Sequence, residues 1–332
     1  MQHFLSTQDW TKSELDQLLL AAKRLQQSPW NERMRRRSIA LLFFNPSLRT
    51  RTSFELGMHQ LGGHAVVLQP GKDAWGIAFE ESTVMDGSEE EHMKEVAGVL
   101  SRYCDLIAVR AFPKGQDWLV DRQDLLIHHL AKYSQVPVIN METILHPCQE
   151  LAFIMALQQR IGSVAKKRMT LTWTWHPKAL NTAVANSALL IGTRFGMDVT
   201  LLIPEQAYAL DEQFMQQAHS NAQASGGSVE VTTNIEQAYR DADVVYAKSW
   251  GALPLYGQVQ EEQKLREPYR HFIVDEAKMS LTNNAVFSHC LPLRRNVKAT
   301  DAVMDSPQCM ALEEAENRLH VQKAIMLKLL NA

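Results

Sequence analysis

"FFNPSLRTRTSFELG", residues 43–57, sets two arginines and four hydroxyl side chains directly behind an apolar run. That run, "SIALLFF" at residues 38–44, is uninterrupted and β-prone, the pattern of a strand buried on both faces. The segment behind it has helical character and opens at Ser47, a residue type suited to cap a helix. The first turn of a helix exposes unpaired N–H groups and a partial positive charge, so it attracts anions, and Ser, Thr and Arg side chains there add donors. Ser47, Arg49, Thr50, Arg51 and Thr52 therefore read as a phosphate-sized anion site at a strand end. No GxxxxGK[ST] occurs in the chain and no GxGxxG follows a strand, which disfavours a nucleotide fold. A capped helix with solvated arginines is the plainer alternative.

The strand–helix alternation continues outward from this stretch. Upstream, "DWTKSELDQLLLAAKRL" (9–25) has Thr11 and Glu14 in capping-box spacing and apolar residues at helical intervals. Downstream, "HAVVLQ", "DLIAVRAF" and "VPVIN" are strand candidates separated by expected helices near 50–61, 89–102 and 117–133. A second series comes after a helix at 148–162: "RMTLTWTW", "DVTLLIP", "SVEVTT", "DVVYAKSW" and "HFIVDE" alternate with helices near 181–195, 211–224, 234–241 and 258–265. The chain closes on a helical pattern at 312–330. Apolar strands alternating with helices predict parallel sheets covered on both faces, hence an α/β fold of two domains. The expected division is 1–147 and 148–311, with a C-terminal helix, 312–332, packing back on the first domain.

The chain has 332 residues, of which 45% are hydrophobic and 21% charged, with a net charge of −3. Such a balance gives no reason to expect nucleic acid or an anionic membrane as partner. The N-terminus lacks a signal-peptide pattern and no run approaches the ~20 apolar residues of a membrane span, so the expectation is a cytoplasmic protein. Cys104, Cys148, Cys290 and Cys309 stand apart without CxxC pairing, which fits a reducing compartment and argues against a structural metal site. Neither a metal nor another cofactor is expected.

In open α/β sheets ligands lie beyond the carboxyl ends of the strands, so strand-end residues are the candidates. "LIAVRAF" ends near Arg110. "VINMETILHPCQE" puts His146 and Gln149 after a strand, and "FSHCLPLRRNVK" sets Arg294 just past His289, Cys290 and Leu291. Each alone has an ordinary reading as an ion pair or a solvated residue. Together they form a donor-rich set with no paired acid and base, suited to stabilising negative charge that develops on an oxygen beside a phosphate leaving group.

Ser47 to Thr52, His146-Pro147-Cys148-Gln149 and His289-Cys290-Leu291-Pro292 resemble, in order and spacing, three signature segments of the aspartate and ornithine transcarbamylase family. The resemblance extends over nearly the whole chain. It implies a two-domain enzyme, with no cofactor, that transfers the carbamoyl group of carbamoyl phosphate to an amine. "GKDAW", "TWHPKALNTAVANS" and "YAKSWGALP" point within the family to N-acetyl-L-ornithine as acceptor, giving N-acetyl-L-citrulline and phosphate on an acetylated route to arginine. N-succinylornithine and ornithine are the alternative acceptors.

The resemblance also implies residue roles. Ser47, Leu48 (by its backbone), Arg49 and Thr50 would bind the phosphate, joined by Trp75 of a neighbouring subunit. Arg110, His146, Gln149 and Arg294 would hold the carbamoyl group, with Arg110, His146 and Arg294 polarising its carbonyl and the Leu291 carbonyl accepting from its amine. Glu90, Glu142, Asn181, Lys248, Cys290, Leu291, Lys298 and Arg318 would face N-acetylornithine, Cys290 as a wall rather than a nucleophile. Lys298 would be carboxylated on its side-chain nitrogen, a modification that needs a neutral, buried amine. Glu90 would disfavour a succinyl group by charge repulsion, although Glu89, Glu90 and Glu91 also suit an acidic first helical turn. Gly76, where the family resemblance leads one to expect proline, would loosen the Trp75 loop. The implied assembly is a homotrimer with sites shared between subunits.

Overall fold

The computed structural model describes residues 1–332, which form two compact units. The first comprises Met1–Pro113, Leu119–Leu151 and Asn317–Ala332; the second comprises Lys114–Trp118 and Ala152–Glu316. The division thus falls after Leu151, inside helix Pro147–Ile161, where residue 147 was the expected limit. Helix Ala311–Leu330 likewise changes unit at Asn317.

The first unit carries a four-stranded parallel sheet: β1 (Ser38–Phe43), β2 (His64–Leu68), β3 (Leu106–Arg110) and β4 (Val138–Glu142), in the order β2-β1-β3-β4. β3 and β4 are buried along their whole length, as expected of strands covered on both faces. The core on one side gathers Ala40, Leu42, Ile107, Val109, Ile127 and Val138. The second unit carries five parallel strands: β5 (Arg168–Trp173), β6 (Asp198–Leu202), β7 (Ser228–Thr232), β8 (Val244–Lys248) and β9 (Val286–Ser288), in the order β9-β8-β5-β6-β7.

These strand orders decide where a ligand binds. In both sheets the strand order reverses once: between β1 and β3 in the first unit, and between β5 and β8 in the second. At such a reversal the flanking connections leave to opposite faces and open a crevice beyond the carboxyl ends. Ser47 follows β1 and Arg110 ends β3; His176 follows β5 and Lys248 ends β8.

Local chemistry sets the element boundaries. Thr11 and Glu14 complete their capping box at the start of helix Lys12–Gln27. Gly226, at φ +82, ends helix Glu212–Ser225 in the left-handed region that glycine adopts without a Cβ penalty. Three expectations shift. "HFIVDE" is not a sheet strand: Val274 makes an isolated bridge to Ala299, and Asp275 caps the short helix Glu276–Met279 and stops the extension. Residues 286–288 fill the sheet position instead. The helix expected at 117–133 breaks into Trp118–Asp121 and Leu125–Tyr133 around Asp124 at φ +49. The helix expected from residue 89 starts at Met93, capped by His92.

Candidate active site

In the first unit, Ser47 caps helix Leu48–Gln60, its Oγ accepting the Thr50 N–H at 3.1 Å. Leu48 is exposed and Thr50 buried. Arg318 Nη2 donates to Thr50 Oγ1 at 2.8 Å. Each of the two hydroxyls thereby accepts one bond and keeps its hydrogen to donate, which suits an oxyanion rather than a cation. Arg51 turns aside, paired with Glu55 at 3.0 Å on the exposed face.

Arg110 and Glu142, the last residues of adjacent strands β3 and β4, are register partners after a shift beyond Val109. Both are buried, and their side chains form an ion pair. His146 Nε2 lies 3.3 Å from Glu142 Oε2, so one carboxylate serves two donors. Taking a lone charge out of water is expensive, and this sharing satisfies Glu142 at the sheet edge. The Arg110 guanidinium also stacks 4.5 Å from the centroid of the Phe112 ring. The Asn45 side chain accepts the Phe112 N–H at 2.6 Å and Phe44 N–H donates to the Arg110 carbonyl at 3.0 Å, which ties the β1 and β3 ends together. His146 starts the next helix, its carbonyl accepting from Gln149 and Glu150 N–H, and the Gln149 side chain is buried.

Trp75 is 67% exposed, and Glu90 is exposed. Their segments run side by side: Ile77 pairs with Glu91 and Ala78 with His92, and Glu91 N–H donates to the Gly76 carbonyl at 3.1 Å. Glu89, Glu90 and Glu91 therefore lie outside any helix, which removes the acidic-first-turn alternative. Gly76 does not adopt a positive φ, and a Cβ there would meet Glu89 only at 3.6 Å, an ordinary contact.

In the second unit, Lys248 Nζ lies 3.6 Å from Cys290 Sγ. The Leu291 N–H donates to His289 Nδ1 at 2.9 Å, while Leu291 itself sits at φ +48, an uncommon region for a residue with a Cβ. Because Nδ1 accepts, neutral His289 carries its proton on Nε2, 3.3 Å from Lys298 Nζ. A ring N–H facing the nitrogen requires a Lys298 lone pair, that is, the neutral amine. Burial, helped by the charge of Lys248, pushes the Lys298 amine down to about 7. The displaced "HFIVDE" segment holds its backbone, since Val274 N–H donates to the Lys298 carbonyl at 2.8 Å.

Arg294 Nε donates to His176 Nε2 at 3.1 Å. Asn181 Oδ1 accepts the Ala183 N–H at 3.2 Å at the start of helix Ala183–Arg194, leaving its amide nitrogen directed elsewhere.

By unit, Ser47, Leu48, Arg49, Thr50, Trp75, Glu90, Arg110, Glu142, His146, Gln149 and Arg318 lie in the first, and Asn181, Lys248, Cys290, Leu291, Arg294 and Lys298 in the second. Glu142 and Arg318, expected on the acceptor-substrate side, lie in the first unit, bonded to Arg110 and His146 and to Thr50 respectively. Asn45 and His176 were missed. Their signal was positional, since both closely follow strands that flank a sheet reversal. No group of three or more His, Cys, Asp or Glu side chains could hold a metal ion.

The carbamoyl-P binding domain of the aspartate/ornithine carbamoyltransferase family matches residues 2–159, and the Asp/Orn binding domain matches residues 167–329. N-acetylornithine carbamoyltransferase of Xanthomonas campestris pv. campestris is 64% identical over 331 residues, covering 99% of this chain and 98% of that protein. N-succinylornithine carbamoyltransferase of Bacteroides thetaiotaomicron is 34% identical over 297 residues, covering 89% and 87%. Acetylornithine transcarbamylase complexed with acetylcitrulline superposes with a TM-score of 0.98 at 64% identity, covering 99% of each chain. A variant of such an enzyme, with proline in place of a glutamate, has been solved with carbamyl phosphate and N-succinyl-L-norvaline, and it superposes equally well.

Proposed function

The chain belongs to the aspartate/ornithine carbamoyltransferase family, and we propose that within it the chain transfers the carbamoyl group of carbamoyl phosphate to the δ-amine of N-acetyl-L-ornithine. The products are N-acetyl-L-citrulline and phosphate, a step towards arginine. The observation that carries the choice of amine is the gap in identity: 64% over nearly the full length to enzymes named for N-acetylornithine, against 34% to one named for N-succinylornithine.

In this reading the Ser47, Arg49 and Thr50 side chains and the Leu48 backbone bind the phosphate, with Trp75 contributed by a second copy of the chain. Arg110, His146, Gln149 and Arg294 hold the carbamoyl group, its carbonyl oxygen polarised by Arg110, His146 and Arg294. The neutral δ-amine attacks the carbamoyl carbon, a C–N bond forms, and the oxyanion is stabilised by guanidinium and imidazole donors. The C–O bond to phosphate then breaks, and the departing phosphate takes the proton released by the amine. Preorganised donors and orientation supply the acceleration without a covalent intermediate. The Leu291 carbonyl accepts from the carbamoyl amine.

Lys248, Asn181, Cys290 and Leu291 serve the acetylornithine, Lys248 pairing with its carboxylate. Glu90 selects acetyl over succinyl by charge repulsion, a role supported by the relative solved with a succinylated ligand once proline replaced a glutamate. Lys298, neutral against His289, is the expected site of reaction with CO2: its lone pair forms a C–N bond and one proton is lost, leaving a carbamate. The assembly is a homotrimer acting in the cytoplasm. No helix is long and apolar enough to cross a membrane.

One assay tests the core of this proposal. Purified protein with carbamoyl phosphate and each of N-acetylornithine, N-succinylornithine and ornithine should form the citrulline-type product fastest from the first. Turnover of free ornithine alone would overturn it. Mass in solution tests the trimer, and intact mass under bicarbonate tests the Lys298 carbamate.

A further inference from the structure

We infer that His176 is a positioning residue for Arg294, acting as an obligate hydrogen-bond acceptor that aims the guanidinium at the substrate. The inference rests on the proposed role of Arg294.

The His176 ring is buried and has contacts at both nitrogens. Nδ1 lies 2.8 Å from the Lys178 carbonyl oxygen and 3.0 Å from the Lys178 N–H, so this end alone fits either tautomer. The other end decides. Arg294 Nε can only donate, and it lies 3.1 Å from Nε2, so Nε2 must present its lone pair. The proton therefore sits on Nδ1 and is donated to the Lys178 carbonyl, at the expense of the contact from the Lys178 N–H. Protonating the ring fully would turn Nε2 into a donor facing a donor and break the contact. Burial, together with the positive charges of Arg294 and Arg266, holds the imidazole down at about 4, so the ring stays neutral wherever the enzyme works.

The backbone beneath it is fixed. Thr174 N–H donates to the Lys248 carbonyl at 2.8 Å, and Thr174 Oγ1 lies 3.0 Å from Ser249 Oγ. The neighbouring Trp175 ring lies 4.0 Å from the Arg270 guanidinium. His176 thus projects from a strand end bonded directly to the residue that carries Lys248, at the reversal between β5 and β8. Arg294 itself lies on an exposed loop with its long side chain otherwise free to choose rotamers, so an acceptor at Nε fixes one orientation and leaves the terminal nitrogens for a ligand.

Steady-state kinetics with N-acetylornithine on His176→Phe, His176→Gln, Arg294→Ala and the His176→Phe/Arg294→Ala double variant test this. His176→Phe should lower kcat/KM on the order of tenfold, the loss of a hydrogen bond to a charged group. His176→Gln, whose amide oxygen can accept from Nε, should recover most of that. In the Arg294→Ala background, His176→Phe should cost nothing further. An equal loss in both backgrounds would overturn the inference, because it would mark His176 as merely structural. Nitrogen-15 NMR of the histidine-labelled wild type tests the tautomer without any variant having to fold: Nδ1–H is expected, and an Nε2–H tautomer at neutral pH would overturn the inference. If the wild type made no N-acetylcitrulline, the proposed function would fail, while the tautomer would still report on the His176–Arg294 contact.

Discussion

Arg318 Nη2 donates to Thr50 Oγ1 at 2.8 Å, both groups buried, so the C-terminal helix braces the turn that comes after β1. That bond occupies the hydroxyl oxygen and directs its hydrogen outward. Replacing Arg318 with Met should raise the KM for carbamoyl phosphate on the order of tenfold, since a charge-assisted donor is lost. The KM for N-acetylornithine should move less. The opposite pattern would return Arg318 to the acceptor side that the family resemblance implies.

Glu142 joins Arg110 and His146 at the edge of the first sheet, in a setting where water cannot replace it. Removing one partner of a buried ion pair leaves an uncompensated charge, typically a cost of about 3–5 kcal/mol. Glu142→Ala should therefore lose stability on that scale in urea denaturation. Glu142→Gln should lose less, because an amide oxygen can still accept from Arg110. A loss below about 1 kcal/mol for the alanine variant would mean that Arg110 finds another anion.

Most of the fold could be read from the sequence because apolar strands and capped helices announce themselves locally. The misreadings share a cause. "HFIVDE" has the composition of a strand, but strand membership depends on a neighbour in the sheet, and Val274 finds only Ala299. Donor residues were legible as types at strand ends. Their partners were not, since Arg110 with Glu142 and Arg318 with Thr50 are 32 and 268 positions apart. His176 carries no local signal, and only the strand order makes it significant.

Lys298 makes stability depend on pH in a definite direction. Its amine falls from the ordinary 10.5 to about 7 in the folded protein. Between those values the unfolded chain binds more protons, so stability should rise with pH from about 7 towards 10. Below pH 7 the cost of the buried charge is fully present. Lys298→Met should therefore stabilise the CO2-free protein at pH 6 by a few kcal/mol and flatten this rise. Thermal melts at pH 6 and 9 read both effects, and a variant less stable than wild type at pH 6 would contradict them.

Arg49 and Arg51 lie two residues apart and should behave differently. Arg51 pairs with Glu55 on the surface, an i,i+4 contact worth about 0.3–0.5 kcal/mol. Arg51→Ala should bind carbamoyl phosphate normally by calorimetry and melt only slightly earlier. Arg49→Ala should show no measurable binding. Loss of binding in the Arg51 variant with its melting point unchanged would reverse the assignment.

Glu90 offers the sharpest test of substrate choice. It is exposed in an extended segment next to Glu91, whose N–H bonds to the Gly76 carbonyl and which pairs with Ile77. Proline at position 90 removes the N–H of residue 90, which makes none of the backbone bonds that join these segments, and it restricts Glu89 to the extended region that a non-helical stretch already favours. The segment should therefore survive the change, and only the carboxylate is lost. Without that charge, a succinyl carboxylate no longer meets repulsion, and like-charge juxtaposition is the kind of element that sets specificity. The ratio of kcat/KM for N-succinylornithine to that for N-acetylornithine should rise by at least about tenfold in Glu90→Pro, with the KM for carbamoyl phosphate little changed. An unaltered ratio in a folded variant would remove Glu90 from the selection of the acyl group.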